Sequence, residues 1–348
     1  MKPVMTKERN ENEKWTAGSS PAGPRGNMSD IIEHNHDPDG VDRRGFLKCM
    51  AWAGTGMLWA GAGGAFASGI LRPADAVAAE AKSSVAADFT FVQISDSHIG
   101  FSKEANKDVL GTLKEAVAKI NALATPPDFI IHTGDLTHLS EAEEFDTLEQ
   151  ILKGCKTKQV FYVPGEHDVL NDNGKQYLQR FGKRTKGGGW FSFDHKGTHF
   201  IGLNNVLNIR EGGLGQLGDM QLEWMMDDLK AVSDSTPVVV FAHVPLWMAY
   251  PQWGWGTEDG ARALGYSKRF GSLTVLNGHI HQVLKKTEGN ATFHTAMSTA
   301  FPQPAPGSAP KPGPMKVEAG KLRSVLGITE VSYREGTHSL AIVDDTLA

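Results

Sequence analysis

Five short apolar segments of this chain each end in residues with carboxylate or imidazole side chains. Helical segments separate the first three, which gives an order of strand, helix, strand, helix, strand. Strands joined by such crossovers run parallel, so their carboxyl ends meet at one edge of a sheet. Open α/β sheets bind their ligands at that edge. The sequence therefore predicts an α/β fold whose polar residues gather at one end.

Apolar periodicity defines the predicted elements. Alternating or short continuous apolar runs predict strands, and apolar residues three and four apart predict helices. The glycine-rich segment 187–205 predicts an antiparallel hairpin, and the proline-rich segment 302–314 predicts a surface loop. The other predicted strands are 88–95, 128–133, 159–163, 237–242, 273–276, 291–298 and 338–344, and the predicted helices are 108–123, 141–152 and 217–232.

The polar strand ends carry the residue types that bind transition metals. Carboxylates and neutral imidazoles are ligands for Zn, Mn and Fe. An Asp-x-His or His-x-His pair in an extended segment places both donors on one face, because side chains there repeat every second residue. A single pair is more simply a surface or capping feature, but five similar strand ends favour one shared site. The candidates are Asp96, His98, Asp135, Glu166, His167, His243, His279 and His281.

The first 78 residues differ in character from the rest. Residues 1–40 are polar and lack apolar periodicity, so we expect them to be disordered. Residues 41–78 contain Arg43 and Arg44, then Phe-Leu-Lys, a glycine-diluted apolar run and Ala-x-Ala sites. This pattern resembles a twin-arginine export signal, and the alternative is a basic segment before a membrane anchor. The run holds six glycines, so we expect no stable membrane span in the mature form.

An export signal predicts the twin-arginine export machinery as a partner and a periplasmic or extracellular location. Cleavage near Ala78 would leave Cys155 as the single cysteine, so we expect no intrachain disulfide. The net charge of −5 argues against a surface that coats nucleic acid.

The order of the polar residues resembles the signature of the calcineurin-like metallophosphoesterases. Because its last motif reads Gly-His-Ile-His-Gln and Pro245 follows His243 by two, the chain is most similar to the bacterial cyclic-nucleotide phosphodiesterase-like branch. The resemblance implies a metallophosphoesterase domain over 88–348, built as a four-layer α/β/β/α sandwich of two mixed β-sheets flanked by helices. The motifs that carry it are Asp96-x-His98, Gly134-Asp135, Gly165-x-His167-Asp168, His243 and Gly278-His279-x-His281.

The same resemblance implies the chemistry. A hydroxide bridging two metal ions would attack the phosphorus of a small-molecule phosphate ester, with a phosphodiester favoured over a monoester. His167 would act as the general acid at the leaving oxygen. The implied ligands are Asp96, His98, Asp135 and His281 for one ion, and Asp135, Glu166, His243 and His279 for the other.

Two residues depart from the usual pattern of the family. Glu166 stands where asparagine is usual, so three carboxylates and a hydroxide would cancel two divalent ions to zero net charge. We hypothesise that Fe(III) beside Zn, Mn or Fe(II) restores a positive charge. His138 stands where many relatives have an aspartate that orients the catalytic histidine. Asp168 or Glu141 is then the expected orienting residue, and the alternative for His138 is an exposed turn.

Several aromatic residues lie between His243 and the last motif. Trp247 and Trp253 are the expected substrate-binding residues of an aromatic lid that stacks a base or ring. Aromatic packing of an irregular insertion is the alternative. Two other functions stay open: a non-catalytic scaffold of the same fold, which would generally lose ligands that this chain keeps, and a nucleotide-binding sensor.

Overall fold

The computed structural model describes residues 87–348, except 211, 319 and 338. The predicted disordered segment 1–40 and the predicted export signal 41–78 lie outside the described residues. Within the described part, no helix combines the length and apolar character needed to cross a membrane.

The described residues form eleven strands and five α-helices, which alternate over the first half of this region. The strands are β1 (Phe89–Ile94), β2 (Phe129–His132), β3 (Val160–Tyr162), β4 (Phe191–His195), β5 (Thr198–Gly202), β6 (Val238–Phe241), β7 (Leu273–Asn277), β8 (Lys285–Glu288), β9 (Ala291–Thr295), β10 (Gly327–Tyr333) and β11 (Ala341–Thr346). The helices are α1 (Val109–Ala122), α2 (Ala142–Leu152), α3 (Lys175–Phe181), α4 (Asp219–Lys230) and α5 (Gly260–Tyr266).

The first sheet has the strand order β11–β10–β1–β2–β3. Its strands β1, β2 and β3 run parallel, as the helical crossovers predict, while β10 and β11 are antiparallel additions. Helices α1 and α2 cover the outer face, where Leu113, Ile120 and Phe145 pack with Ile94 and Ile130 of the sheet. The parallel arrangement brings the ends of β1, β2 and β3 to one edge.

The second sheet has the order β4–β5–β6–β7–β9–β8. Strands β5, β6, β7 and β9 run parallel, and the predicted hairpin is present as the antiparallel pair β4 and β5. Helices α4 and α5 pack on its outer face, where Leu222 and Met225 meet Val240 and Val275. The residues that follow β6 and β7 contact those that follow β2 and β1: His243 Nδ1 lies 2.7 Å from the Thr133 carbonyl, and the His279 amide donates to Asp96 at 3.1 Å.

A layer of aromatic and aliphatic residues lies between the two sheets. Phe91 of β1 and Phe129 of β2 stack at 5.0 Å between ring centroids, and Phe129 meets Phe200 of β5 edge-on at 5.3 Å. Burying one such side chain stabilises the fold by roughly 1.5–3 kcal/mol. With helices outside both sheets, the predicted four-layer α/β/β/α sandwich is confirmed.

Four helices and strands were not predicted, and for two of them the sequence shows the reason. Strand β8 has the sequence Lys-Lys-Thr-Glu and is exposed along its length, so it has no apolar pattern. Helix α5 contains two glycines in seven residues, which lowers its intrinsic helix propensity. Helix α3 and strand β10 were also missed. The predicted closing strand 338–344 is present as β11, and residues 302–314 form no helix or strand.

Candidate metal centre

The predicted metal ligands all lie directly after strands, at the edge where both sheets end. Asp96 and His98 follow β1, Asp135 follows β2, and Glu166 begins a single 3-10 turn after β3. From the second sheet, one histidine follows β6 and two follow β7. The structure brings together all seven: Asp96, His98, Asp135, Glu166, His243, His279 and His281.

Five of these seven residues have left-handed backbone conformations. Such angles are uncommon for residues other than glycine and concentrate at functional sites, where they cost on the order of 1 kcal/mol or more each. Backbone hydrogen bonds between the loops hold them: the Asp96 amide donates to the Gly134 carbonyl at 3.0 Å, and the His98 amide donates to the Asp135 carbonyl at 2.9 Å. The φ angles are 53° at Asp96, 41° at His98, 51° at Asp135, 70° at His279 and 54° at His281.

Glycine is required at two points where these loops touch. A Cβ atom on Gly165 would collide with the backbone nitrogen and carboxylate of Asp135, and one on Gly278 would collide with Ser95 Oγ. Both glycines belong to the motifs recognised in the sequence. They let the loops approach closely enough for their side chains to converge.

The first cluster contains two imidazoles and two carboxylates. His98 Nε2 lies 3.2 Å from His281 Nε2 and 3.4 Å from Asp135 Oδ2, and His281 Nε2 lies 3.3 Å from Asp96 Oδ1. Two ligands that share a transition metal at about 2.0–2.2 Å have donor atoms at such separations. All four residues are buried. The donor set and its spacing fit a transition-metal ion.

The second cluster shares Asp135 with the first. His243 Nε2 lies 2.8 Å from Glu166 Oε2 and 3.4 Å from Asp135 Oδ2, and His279 Nδ1 lies 3.0 Å from Glu166 Oε1. Among the described residues, three of these buried atoms have no hydrogen-bond partner: Glu166 Oε2, His243 Nε2 and His279 Nδ1. Buried polar groups are rarely left unpartnered. Their convergence fits a second cation.

Backbone carbonyls orient two of the imidazoles. The Nδ1 of His243 lies 2.7 Å from the Thr133 carbonyl, and the Nδ1 of His281 lies 2.6 Å from the Phe301 carbonyl. A carbonyl oxygen only accepts, so each Nδ1 carries a proton, and in the neutral ring this leaves the lone pair of Nε2 for a ligand. This outer support fixes the ring and its tautomer in metal sites. Neither carbonyl could be predicted from the sequence.

The electrostatics give three of the ligands, Asp96, Glu166 and His98, the protonation states that metal binding needs. Burial opposes ionisation of Asp96, but His281 and His243 outweigh it and lower its pKa to about 2. His279 and His243 likewise overcome burial and lower the pKa of Glu166 well below its ordinary value. Burial, followed by the charge of His167, lowers the pKa of His98 well below its ordinary value. The two carboxyl groups are thus ionised, and His98 is neutral.

The predicted catalytic histidine lies beside both clusters. The backbone amide of His167 donates to Asp135 Oδ1 at 2.9 Å, and its ring lies edge-on to His98 at 4.7 Å. Burial lowers the pKa of His167, but the carboxylates of Asp135 and Glu166 outweigh burial and raise it above its ordinary value. A raised pKa favours the protonated imidazole, which is the form that a general acid needs.

Both orienting residues predicted for His167 were wrong. Its Nδ1 donates instead to the backbone carbonyl of His138 at 2.7 Å. The Asp168 carboxylate is occupied by the backbone amides of Leu136, Thr137 and Gly165 and by the Thr137 hydroxyl. Glu141 accepts from Asn171 in a separate contact. The orienting group is therefore part of the backbone, which no side-chain motif can reveal.

His138 is not the exposed turn residue of the alternative prediction. It is half-buried, and its ring stacks on His167 at 4.8 Å with an interplanar angle of 15°. Its Nδ1 lies 3.4 Å from His98 Nδ1. Burial, with the charge of His167, lowers the pKa of His138 to about 4. A neutral His138 thus supports both a predicted ligand and the predicted acid.

The clusters open into a cavity of about 310 Å³. Trp253 and Trp255 contribute to its wall, together with Phe301 and the segment 312–314 of the proline-rich loop. Trp247 is a correction to the predicted substrate-binding residues: it packs on Phe293 at 5.1 Å, against the core beneath α4. The aromatic segment is therefore divided: Trp247 is partly buried against the core, and Trp253 lies at the cavity.

The sequence profile of the calcineurin-like phosphoesterases matches residues 89–283, more than half of the chain. The chain is 27% identical over 219 residues to the serine/threonine-protein phosphatase CPPED1 of Danio rerio, covering 56% of this chain and 70% of that protein. It is 26% identical over 221 residues to the glycerophosphodiester phosphodiesterase GpdQ of Enterobacter lignolyticus (61% and 77% covered). It is 23% identical over 221 residues to the 3',5'-cyclic-nucleotide phosphodiesterase alr5338 of Nostoc sp. (61% and 79%).

The fold also matches a solved structure. A dimetal phosphatase from Danio rerio superposes with a TM-score of 0.55 at 15% sequence identity, covering 76% of this chain and 98% of that one. At this identity the likeness concerns the fold alone.

Proposed function

The chain belongs to the calcineurin-like phosphoesterase family, and from this premise we propose that it hydrolyses phosphodiesters with two metal ions and with His167 as general acid. As a member it is a hydrolase of phosphoric esters. The motifs predicted this family, and the family profile confirms it. Bacterial phosphodiesterases, the branch that the last motif resembles, are among the relatives. The observation that carries the proposal is the convergence of two ligand clusters on Asp135, with three buried atoms left unpartnered.

The residues of the chain have distinct tasks in the proposed reaction. When bound, the ions would supply a nucleophilic hydroxide and neutralise the phosphoryl oxygens. His167 donates a proton from Nε2 to the leaving oxygen, because its Nδ1 is held by the His138 carbonyl. The contact between the His167 amide and Asp135 fixes the distance of this acid from the ligands. Phe301 and Trp255 contribute apolar surface to the cavity wall.

Two candidate substrate classes follow from the relatives. GpdQ and the Nostoc enzyme are named as phosphodiesterases, and CPPED1 is named as a serine/threonine-protein phosphatase. We favour the diester, because the two bacterial relatives are named for phosphodiesters. The carboxylate of Glu166 adds a smaller contribution, since it repels a dianionic monoester more strongly than a monoanionic diester. The test is kcat/KM of the metal-loaded protein for bis(p-nitrophenyl) phosphate against p-nitrophenyl phosphate. A higher value for the monoester would contradict the proposal.

A matched variant tests the charge argument separately. Glu166→Gln removes the negative charge and keeps a side-chain oxygen at the same reach. We expect its kcat/KM for p-nitrophenyl phosphate to rise relative to that for bis(p-nitrophenyl) phosphate. An unchanged ratio would show that Glu166 does not select by charge.

The identity of the ions is a further part of the proposal. We infer that one ion is Fe(III), with Zn, Mn or Fe(II) as its partner, because Glu166 adds a negative charge to the ligand set. The support is its position, where its two oxygens face His243 and His279. Elemental analysis and electron paramagnetic resonance of native protein test it. Only divalent ions in an active sample would refute it.

Trp253 is proposed to stack the base or ring of the substrate. The support is its place in the wall of the cavity into which the ligand clusters open. We expect Trp253→Ala to raise KM for an aromatic diester about tenfold, since stacking on an aromatic side chain contributes about 1–3 kcal/mol. Trp247→Phe is the control, because Trp247 packs in the core. An unchanged KM in Trp253→Ala would remove this role.

Export by the twin-arginine route to the periplasm or beyond is proposed from the sequence of residues 41–78 alone. Replacing Arg43 and Arg44 by lysine tests it. We expect the variant to accumulate in the cytoplasm of the producing cell, while equal export of both proteins would contradict the proposal.

A further inference from the structure

The cavity has an uneven distribution of charge. Its walls include the carboxylates of Asp135 and Glu166, and among the described residues that line it Lys103 is the single lysine or arginine. An anionic substrate therefore meets one fixed cation of this chain on its way to the ligands. The ammonium group of Lys103 is exposed and lies 6.0 Å from the centre of the Phe101 ring.

Lys103 has no carboxylate partner among the described residues, although acidic residues are near. Its neighbour Glu104 is paired with Lys107 at 2.6 Å and with Lys316 at 3.1 Å. The charge of Lys103 thus stays available to a ligand. An ammonium that is already paired would contribute little to binding a second anion.

Contacts place Lys103 on the side of the cavity that holds His167. The Phe101 ring below its ammonium meets His138 edge-on at 5.2 Å, and His138 stacks on His167. The charge of Lys103 also contributes, after burial and His167, to lowering the pKa of His138. The cation therefore lies near the residue that we propose protonates the leaving group.

We propose that Lys103 is a specificity-determining residue that selects substrates by negative charge, so that the substrate class is anionic phosphodiesters rather than zwitterionic ones of the choline type. This inference rests on the proposed function. Lys103 supplies one positive charge in the wall of a cavity that also contains the carboxylates of Asp135 and Glu166. Such a cation raises the local concentration of anions and their association rate.

A series of three substrates with one leaving group tests the inference. p-Nitrophenyl phosphate is a dianion, bis(p-nitrophenyl) phosphate is a monoanion, and p-nitrophenyl phosphorylcholine has no net charge. In Lys103→Met we expect kcat/KM to fall about tenfold for the dianion, about threefold for the monoanion and little for the zwitterion. The change should lie in KM, and Lys103→Arg should restore it.

Lys107→Met is the matched control, because its ammonium is paired with Glu104. It should leave all three values and their dependence on salt unchanged. A second measurement avoids turnover: calorimetric titration with inorganic phosphate should give a weaker affinity for Lys103→Met than for Lys107→Met. In the wild type, kcat/KM for the anions should fall more steeply with ionic strength than in Lys103→Met.

The outcomes separate this inference from the proposed function. If the wild type hydrolyses the esters and Lys103→Met shows equal losses, or none, across the three charges, the inference is wrong and the proposed function stands. If the wild type hydrolyses none of them, the proposed function fails. The phosphate titration then decides the role of Lys103 as an anion contact, and equal affinities in the two variants would overturn it.

Discussion

Two buried histidines of this molecule, His243 in the metal centre and His199 on β5, both lie between carboxylates but differ in their hydrogen bonds. His199 uses both ring nitrogens: Nδ1 lies 2.7 Å from Asp194 Oδ1 and Nε2 lies 2.9 Å from Asp228 Oδ2. His243 has its Nδ1 on the Thr133 carbonyl, and its Nε2 has no hydrogen-bond partner among the described residues. Both ring nitrogens of His199 are thus hydrogen-bonded, whereas Nε2 of His243 is left for a metal ion.

The difference separates a structural cluster from a ligand cluster. A histidine beside two carboxylates is not in itself a metal site, because the carboxylates can satisfy both ring nitrogens as they do at His199. The second carboxylate there, Asp228, also accepts from Ser192 Oγ at 2.7 Å. We call Ser192, Asp194, His199 and Asp228 the closed cluster; it joins β4, β5 and α4. At His243 the carbonyl fixes one nitrogen, while the other lies 3.4 Å from Asp135 and 2.8 Å from Glu166 without a partner in good hydrogen-bond geometry. Several buried ligand atoms that converge without hydrogen-bond partners are therefore a better sign of a metal site than a histidine beside two carboxylates.

The largest expected effect comes from the residue that both ligand clusters share. Asp135→Asn should lower the affinity for both ions by more than about 100-fold and abolish turnover. Removing a residue that only supports a ligand costs about 10–100-fold in affinity, and removing a ligand should cost more. Metal content by elemental analysis and kcat for bis(p-nitrophenyl) phosphate measure it. Asp194→Asn, at the closed cluster, is the control and should retain the metals. Full metal occupancy in Asp135→Asn would contradict the shared-ligand assignment.

His167→Asn should have the next largest effect, and on catalysis alone. Loss of a general acid lowers kcat by about 10²–10⁴-fold. Because His167 contributes its backbone amide, and not its side chain, to Asp135, metal content should not change. A substrate whose leaving group needs no protonation, such as one releasing 2,4-dinitrophenolate, should lose less. Equal losses for good and poor leaving groups would rule out the role of acid.

The ligands could be predicted from the sequence, but much of their support could not. Asp-x-His and His-x-His at strand ends identify donor types and their common edge, since parallel strands place their ends together. The supporting carbonyls of Thr133, His138 and Phe301 give no such signal, because every residue carries a carbonyl. Trp247 and Trp253 are equally aromatic in sequence, and only the packing of Trp247 on Phe293 distinguishes them. The sequence thus predicts which side chains can bind a metal, but not which backbone carbonyls orient them.

The smallest expected effect lies at the closed cluster and depends on pH. Burial lowers the pKa of His199, but Asp228 and Asp194 outweigh it and raise that pKa above the ordinary value of 6.5. A group whose pKa is raised on folding contributes stability that is fully present below its unfolded pKa, near 6.5, and is lost as pH rises through its folded pKa. His199→Gln should therefore lower the free energy of unfolding at pH 6 by about 1 kcal/mol, the size of an exposed to half-buried ion pair, and by less at pH 9. Urea unfolding at the two pH values measures it. Equal losses at both would mean that His199 acts by packing and not by charge, which would remove the contrast with His243.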